Sequence, residues 1–526
     1  REALVFTGVR LSYAAFGAHV GRVARALAAL GVERGTAVAI MLPNLPQTEI
    51  AFYAALALGA RVVLTNPLYT STEVVHQWND AGCEVAVVAD FVHGPVVEPV
   101  RRELPVREYV VSSIPDHMPW LLRRIAPLKL RRMDPPRWAA VAYGEHVRPW
   151  RALLRGPAAP VPRGNAGLDD VALLQYTGGT TGASKGAVLT HRNLSWNVQQ
   201  VRAWFTDCRE GGEVMLTALP LFHVFGMTVC MNFSIAVGAT QVVVANPRDI
   251  PALIAAIAKE RVTLFPGVPA LFDKIVQHPA SQGADLTSVK SCFSGSAPLA
   301  SDVRRRFEER TQSVIVEGFG LTETSPVTHV NPLQGVRKDA SIGVPVPDTD
   351  AVVVDPETGK RLGLGEPGEL LLRGPQVFQG YWNRPQESAH ALRDGWFHTG
   401  DLATVDADGY FRIVGRLKEM INVKGLKVFP DEVDDVLGRH PAVLESATIG
   451  VPAEHGNELV KAFVVLAPGQ RATAAELEAH CRGALAAYKV PREFEFLDAL
   501  PRSSVMKVLR KDLLARELAR KQAAPR

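Results

Sequence analysis

Along the first ninety residues the apolar positions alternate between a helical and an extended period. Ser12 suits the cap of a helix whose apolar face takes in Val20, Val23, Leu27 and Leu30, with Gly31 as its stop signal. Residues 37–42 form a buried-strand run, 49–58 read as a helix and 61–65 as a second strand. A helix from Ser71 and a strand over 85–88 follow. Such alternation predicts a parallel sheet covered by helices.

The alternation resumes after Asp169 and continues to about Phe319, with a strand over 241–244, a helix over 250–259 and a strand over 263–265. From about Ser341 to Val414 the chain changes to short β-runs punctuated by Gly and Pro, such as 351–355 and 369–373, which predict a small β-subdomain. The last hundred or so residues mix helices and strands as a small unit of their own. The expected fold class is therefore α/β: a large N-terminal domain (1–415) of helix-covered mixed sheets with a β-subdomain, then a small α+β domain (416–526). No internal repeat occurs at solenoid periods.

Two stretches bear on membranes. Residues 214–247 carry no charge, long enough to span a bilayer. Pro220, Gly226 and Gly238 interrupt the run, and His223, Asn232 and Gln241 are costly in lipid. We expect strand, loop, buried helix and strand inside a large core. Residues 120–132 are basic and apolar without an acidic residue. They read equally as a patch for peripheral contact with an anionic membrane and as a solvated loop, Pro127 being expected to break any long amphipathic helix.

Composition narrows the classes. With 526 residues, 47% hydrophobic and 21% charged, the chain fits an ordinary globular protein of two or more domains. A net charge of +4, mixed along the chain, is too weak to argue for nucleic acid as the partner. The five cysteines are scattered without a CxxC pair, which speaks against a disulfide framework or structural zinc and for a reducing, cytoplasmic setting. The chain opens on Arg1 and enters a helical pattern almost at once, so the native start is expected to lie upstream.

The candidate chemistry starts at Tyr176-Thr-Gly-Gly-Thr-Thr-Gly-Ala-Ser-Lys-Gly-Ala, directly after an apolar strand over 171–175. Gly178, Gly179, Gly182 and Gly186 let backbone N–H groups approach phosphate oxygens. Thr177, Thr180, Thr181 and Ser184 add hydroxyls, and Lys185 adds a cation. Lys185 is followed by Gly186 rather than Ser or Thr, so this is a phosphate loop of another class than the Walker type. Further blocks follow in order: Leu219-Pro-Leu-Phe-His-Val-Phe-Gly, Glu317-Gly-Phe-Gly-Leu-Thr-Glu-Thr, Gly395-Trp-Phe-His-Thr-Gly-Asp-Leu, Gly415-Arg-Leu-Lys-Glu-Met-Ile and Pro501-Arg-Ser-Ser-Val-Met-Lys. Together they resemble the signature set of the adenylate-forming (AMP-binding) superfamily, over nearly the whole chain.

That resemblance implies ATP, CoA and Mg²⁺ as co-reactants and a role for each matched residue. Thr177 to Thr181 and Lys185 would hold the phosphates, Thr322 would touch a phosphate, and Glu323 would bind magnesium. Phe319, where many relatives carry tyrosine, would stack on adenine beside Gly320, with Gly295, Ala297 and Pro298 along adenine and acyl chain. Asp401 and Arg416 would take the ribose. Lys507 would bridge carboxylate and α-phosphate as charge develops; the preceding residue is Met506, where many relatives have glycine. His223 would sit by the acid's carboxylate, with Phe222, Val224, Phe225, Gly267 and Gly295 in the acyl pocket. The C-terminal domain would swing about Lys418 between half-reactions, bringing Lys424 and Gly425 to the pantetheine arm.

The overall pattern is closest to bacterial long- or medium-chain fatty acyl-CoA synthetases. It implies fatty acid activation to acyl-AMP with pyrophosphate release, then transfer to CoA. An aryl or medium-chain acid:CoA ligase and a fatty acyl-AMP ligase loading a carrier protein stay open, as does the homodimer. A non-catalytic lipid-binding scaffold has no physical need for Lys185, Glu323, Asp401, Arg416 and Lys507 together.

Overall fold

The computed structural model describes residues 1–157, 160–161, 166–177, 184–423, 426–453, 457–503 and 508–523. The chain packs as two units, residues 1–350 with 373–395, and residues 351–372 with 396–526.

Among the described residues the first unit holds two sheets. One orders Val147–Pro149, Glu108–Ser112, Cys83–Ala89, Ala37–Met41, Arg61–Leu64, Val171–Thr177 and Lys185–Thr190. All its neighbours are parallel except the last pair, an antiparallel hairpin. The strands that end buried on both faces read as unbroken apolar runs, as a helix-covered parallel sheet requires.

The other sheet has a parallel centre: Val314–Gly320, Ser291–Ser294, Leu264–Gly267, Val214–Thr217, Thr240–Val243 and Glu2–Phe6. Antiparallel strands close both edges. In-register pairing of Gly267 with Ser294 and of Ser294 with Glu317 brings three strand ends level. Ligands in open α/β sheets gather outside such carboxyl ends.

Local signals explain most boundaries. Ser12 Oγ accepts from Ala15 N–H at 3.1 Å to start the helix Tyr13–Ala29, which buries Val20, Val23 and Leu27. The helix Pro46–Ala57 begins ahead of the expected Glu49 because Pro46 occupies its first turn, where a missing N–H costs nothing. Thr70, rather than Ser71, caps Ser71–Ala81 in a reciprocal box with Glu73, and Gly82 ends it at φ 65°.

Two expectations need correction. The chain does not enter a helix directly: a hairpin of Glu2–Phe6 and Val9–Ser12 comes first. Ala3 to Phe6 are buried there because Leu4 pairs with Gln241 inside the second sheet. Pro127 does not end its helix either, since Trp120–Leu130 runs through it. Pro127 donates no bond, but Arg131 N–H still reaches the Pro127 carbonyl at 3.0 Å.

The uncharged stretch resolves into the strand Val214–Thr217, the helical run Gly226–Asn232 and Phe233–Val237, and the strand Thr240–Val243. No helix among the described residues is long and apolar enough to cross a membrane.

In the second unit Gly368–Arg373, Trp396–Val405 and Phe411–Arg416 form an antiparallel ladder. A three-stranded sheet of Val443–Pro452, Glu458–Leu466 and Glu493–Phe496 follows. The helices Pro430–Leu437 and Ala474–Arg482 close a core of Ile421, Val433, Leu437, Val460 and Leu477 over it. Near the C-terminus Arg502 bridges to Val508, and Leu509 N–H donates to the Pro501 carbonyl at 2.8 Å. Arg510 then meets Glu419 at 2.9 Å and Asp434 at 2.7 Å, with Asp431 as a further partner.

Candidate active site

The phosphate-loop hairpin is tied at its root. Thr177 lies opposite Lys185 in the antiparallel register; Gly178, Gly179, Thr180 and Thr181 lie outside the described residues. The helix Ser71–Ala81 grips both arms. The Tyr176 hydroxyl donates to Asp80 Oδ2 at 2.6 Å, and His76 Nε2–H donates to the Ser184 carbonyl at 2.9 Å. Asp80 also pairs with Arg384 at 3.1 Å. Burial and the adjacent Asp80 carboxylate push the Tyr176 phenol well above its ordinary pKa, so it stays a donor.

The segment after Arg373 crosses this hairpin. Val188 N–H donates to the Gly380 carbonyl at 2.9 Å and Trp382 N–H to the Gly186 carbonyl at 2.8 Å. Tyr381 is thereby held between two expected site residues. Its hydroxyl donates to Glu323 Oε1 at 2.7 Å, and Lys185 Nζ stands 5.3 Å from its ring centroid. Lys185 also faces Glu387 at 3.7 Å. Burial, reinforced by the Glu323 charge, raises the Tyr381 phenol and keeps its proton.

Glu323 sits in the short turn Thr322–Thr324, which ends on Ser325 at φ 72°. Phe378 N–H donates to the Glu323 carbonyl at 2.8 Å, so both its backbone and its carboxylate are positioned. A single oriented carboxylate beside a phosphate loop is a donor set that fits magnesium, which keeps water and phosphate oxygens for its other positions. Phe319 and Gly320 precede this turn at the end of Val314–Gly320. A Cβ on Gly320 would lie 2.0 Å from the Pro326 carbonyl oxygen, so only glycine fits.

Of the residues expected in the acyl pocket, Phe225 and Gly295 are in contact: a Cβ at Gly295 would fall 3.0 Å from the Phe225 ring. Gly295 is buried, whereas Ala297 and Pro298 are exposed on the turn that Ser296 opens at φ 72°. Gly267 backs onto Phe272 and Phe265. Asn44 fixes the chain before Phe222, donating to the Thr217 and Leu219 carbonyls and accepting from Leu221 N–H. Gln175 Nε2 donates to the Phe222 carbonyl at 3.1 Å, joining this segment to the phosphate-loop strand. Val224 is buried behind it.

His223 keeps some surface, yet the packing around its imidazole strips water and pushes its pKa down to about 4. Its Nδ1 accepts from Phe225 N–H at 3.3 Å. The neutral ring therefore carries its proton on Nε2, the atom left to donate to a carboxylate.

In the second unit Asp401 and Arg416 face each other in register, and Arg416 Nε meets Asp401 Oδ1 at 2.9 Å. Asp401 is buried. Lys418 is exposed in the turn Leu417–Glu419. Lys424, Gly425 and Lys507 lie outside the described residues. Tyr381, Asp80, His76 and Asn44 escaped the sequence reading. The run Gly380-Tyr-Trp-Asn-Arg-Pro, dense in aromatic and turn residues, carried a signal for the first of them.

The AMP-binding enzyme model matches residues 1–382, and the AMP-binding enzyme C-terminal domain model matches 432–507. The chain belongs to the AMP-binding enzyme family. It is 39% identical over 520 residues to a long-chain-fatty-acid–CoA ligase of Bacillus subtilis (strain 168), covering 98% of this chain and 92% of that protein. It is 36% identical over 510 residues to a feruloyl-CoA synthase of Amycolatopsis sp, covering 97% and 94%. Among solved structures, the anthranilate CoA ligase AuaEII in complex with anthranoyl-AMP superposes with a TM-score of 0.84 at 28% identity, covering 100% of this chain and 95% of that one.

Proposed function

We propose that this AMP-binding enzyme is a cytoplasmic ligase that activates a fatty acid with ATP, releases pyrophosphate, and passes the acyl group to CoA. The supporting observation is the apolar wall beside the phosphate-loop strand. Residues 224–237 are uncharged, Val224, Met227, Val229, Cys230, Met231 and Phe233 are buried, and Phe225 closes on Gly295. Likeness to long-chain-fatty-acid–CoA ligases over almost the whole chain supports the same reading.

Carboxylate attack on the α-phosphate brings two anions together, so the task of the residues is orientation and charge. His223 Nε2–H would hold the carboxylate. Lys185 and the loop hydroxyls would hold the departing phosphates, Asp401 and Arg416 the ribose, Phe319 the adenine. Glu323 would carry magnesium, which when bound neutralises phosphate charge. Lys507 would span carboxylate and phosphate in the first half-reaction. For the second, residues 416–526 would turn about Lys418 and present Lys424 and Gly425 to CoA.

The test is a CoA-thioester assay with ATP and magnesium over fatty acids of graded length, run beside Lys507→Ala. The variant is expected to lose acyl-AMP formation by roughly 10²–10³-fold, the usual effect of removing one preorganised transition-state donor. It should retain thioester formation from supplied acyl-AMP; equal loss of both steps would overturn the assigned role. An aryl acid is the second reading, favoured by the Phe225 ring standing next to Gly295 and by the feruloyl-CoA synthase relative. Turnover of aryl acids in preference to fatty acids would establish it.

A further inference from the structure

We propose that the helix Trp120–Leu130 is a docking surface for anionic lipid bilayers. None of its eleven residues is buried. Helical spacing puts Leu121, Ile125 and Leu128 on one stripe, and they are 54%, 49% and 67% exposed. The residues partly covered by the protein are Arg123, Ala126, Pro127 and Leu130, which lie on the opposite side. The apolar stripe thus points away from the body, the reverse of an ordinary surface helix.

Charge identifies the occupant. Arg124 and Lys129 flank the stripe, one on each edge, and Arg123, Arg131 and Arg132 add to them, while no acidic residue occurs over 117–133. Trp120, 64% exposed, lies at the helix start with the Arg124 guanidinium 5.6 Å from its ring centroid. Cations on long stems beside an apolar stripe, with tryptophan at the end, match the headgroup boundary of a bilayer. A helix of this length, about 16 Å at the standard rise, is about half the ~30 Å needed to span, so it lies in the interface. A second copy docking face to face would set the same cations against themselves, which disfavours it.

Vesicle co-sedimentation of the full chain, without substrates, tests this independently of the enzymatic reading. Wild type is expected to sediment with phosphatidylglycerol–phosphatidylcholine vesicles, weakly with pure phosphatidylcholine, and less as salt rises. At about fivefold in affinity per cation near an anionic surface, a double charge reversal R124E/K129E should lower binding at least about 25-fold. L121S/I125S/L128S should lower it at physiological salt, with melting temperature and turnover of a water-soluble acid unchanged in both variants. Equal partition of wild type and variants would overturn the proposal. So would a concentration-dependent dimer in sedimentation velocity that the triple variant abolishes without any vesicle binding by wild type.

Discussion

The Tyr381 hydroxyl donates to Glu323 Oε1 at 2.7 Å while Lys185 stands over the same ring, 5.3 Å from its centroid. One aromatic side chain therefore links Lys185, expected to hold phosphate, to Glu323, proposed to carry magnesium. Tyr381→Phe keeps the ring and removes the bond. Hydrogen bonds to charged groups contribute about 1.5–3 kcal/mol, so the magnesium concentration for half-maximal pyrophosphate release should rise roughly 10–100-fold by the same figure. Magnesium-dependent nucleotide binding, followed by calorimetry, should weaken in parallel. An unchanged magnesium dependence with a lowered melting temperature would leave Tyr381 only a packing role.

Asp80 joins Tyr176, Arg384 and the end of the helix Ser71–Ala81. Asp80→Ala would leave a buried phenol without its acceptor, a loss of about 1–3 kcal/mol. The expected result is a higher KM for ATP with a smaller change in the KM for the acid, measured in the coupled thioester assay. Asp80→Asn, which can still accept from Tyr176, should recover most of the difference.

His223 is held neutral by its surroundings, its pKa pushed down to about 4. A group depressed this far does not change charge between pH 5 and 8. The pH profile of kcat/KM should therefore show no limb from His223 in that range, and histidine NMR should find its titration below pH 5. A midpoint for this residue near 6.5 would contradict the burial. His223→Ala should raise the KM for the acid more than that for ATP.

Glu49 is buried in the helix Pro46–Ala57 with Gln241 Nε2 on Oε2 at 2.9 Å, and burial pushes its carboxyl up to about 8. The folded chain then keeps a proton that the unfolded chain releases above the ordinary carboxyl pKa of about 4.3. This contribution to stability is fully present below that pH and declines as pH rises toward 8. Glu49→Gln removes the titration, so the drop in melting temperature between pH 5 and pH 8 should be smaller in the variant. A drop of equal size would mean that Glu49 is ionised in the fold.

Local order was legible in the sequence where one element carries its own signal. Ser12 capped the expected helix, the uncharged run 214–247 folded as strand, helix and strand, and Asp401 met Arg416. What stayed hidden depends on distant partners. Residues 2–6 are too short a run to reveal a partner far along the chain. Asp80 and Tyr176 look like a helix-end aspartate and a strand tyrosine until the fold joins them. Pro127 misled because a proline's cost to a helix is one bond and a steric clash, and tertiary setting decides whether that cost is met.

The placement of Glu2–Phe6 has a consequence for biogenesis. Leu4 pairs with Gln241, so about 237 residues separate the two strands. At roughly 5–20 residues per second of synthesis, the first strand waits about 12–50 s for its neighbour. Throughout that interval Leu4 and Val5 lie on a strand edge that lacks its parallel ladder. Chaperone capture, or pauses in translation before Thr240, would act on the yield of this protein through those residues.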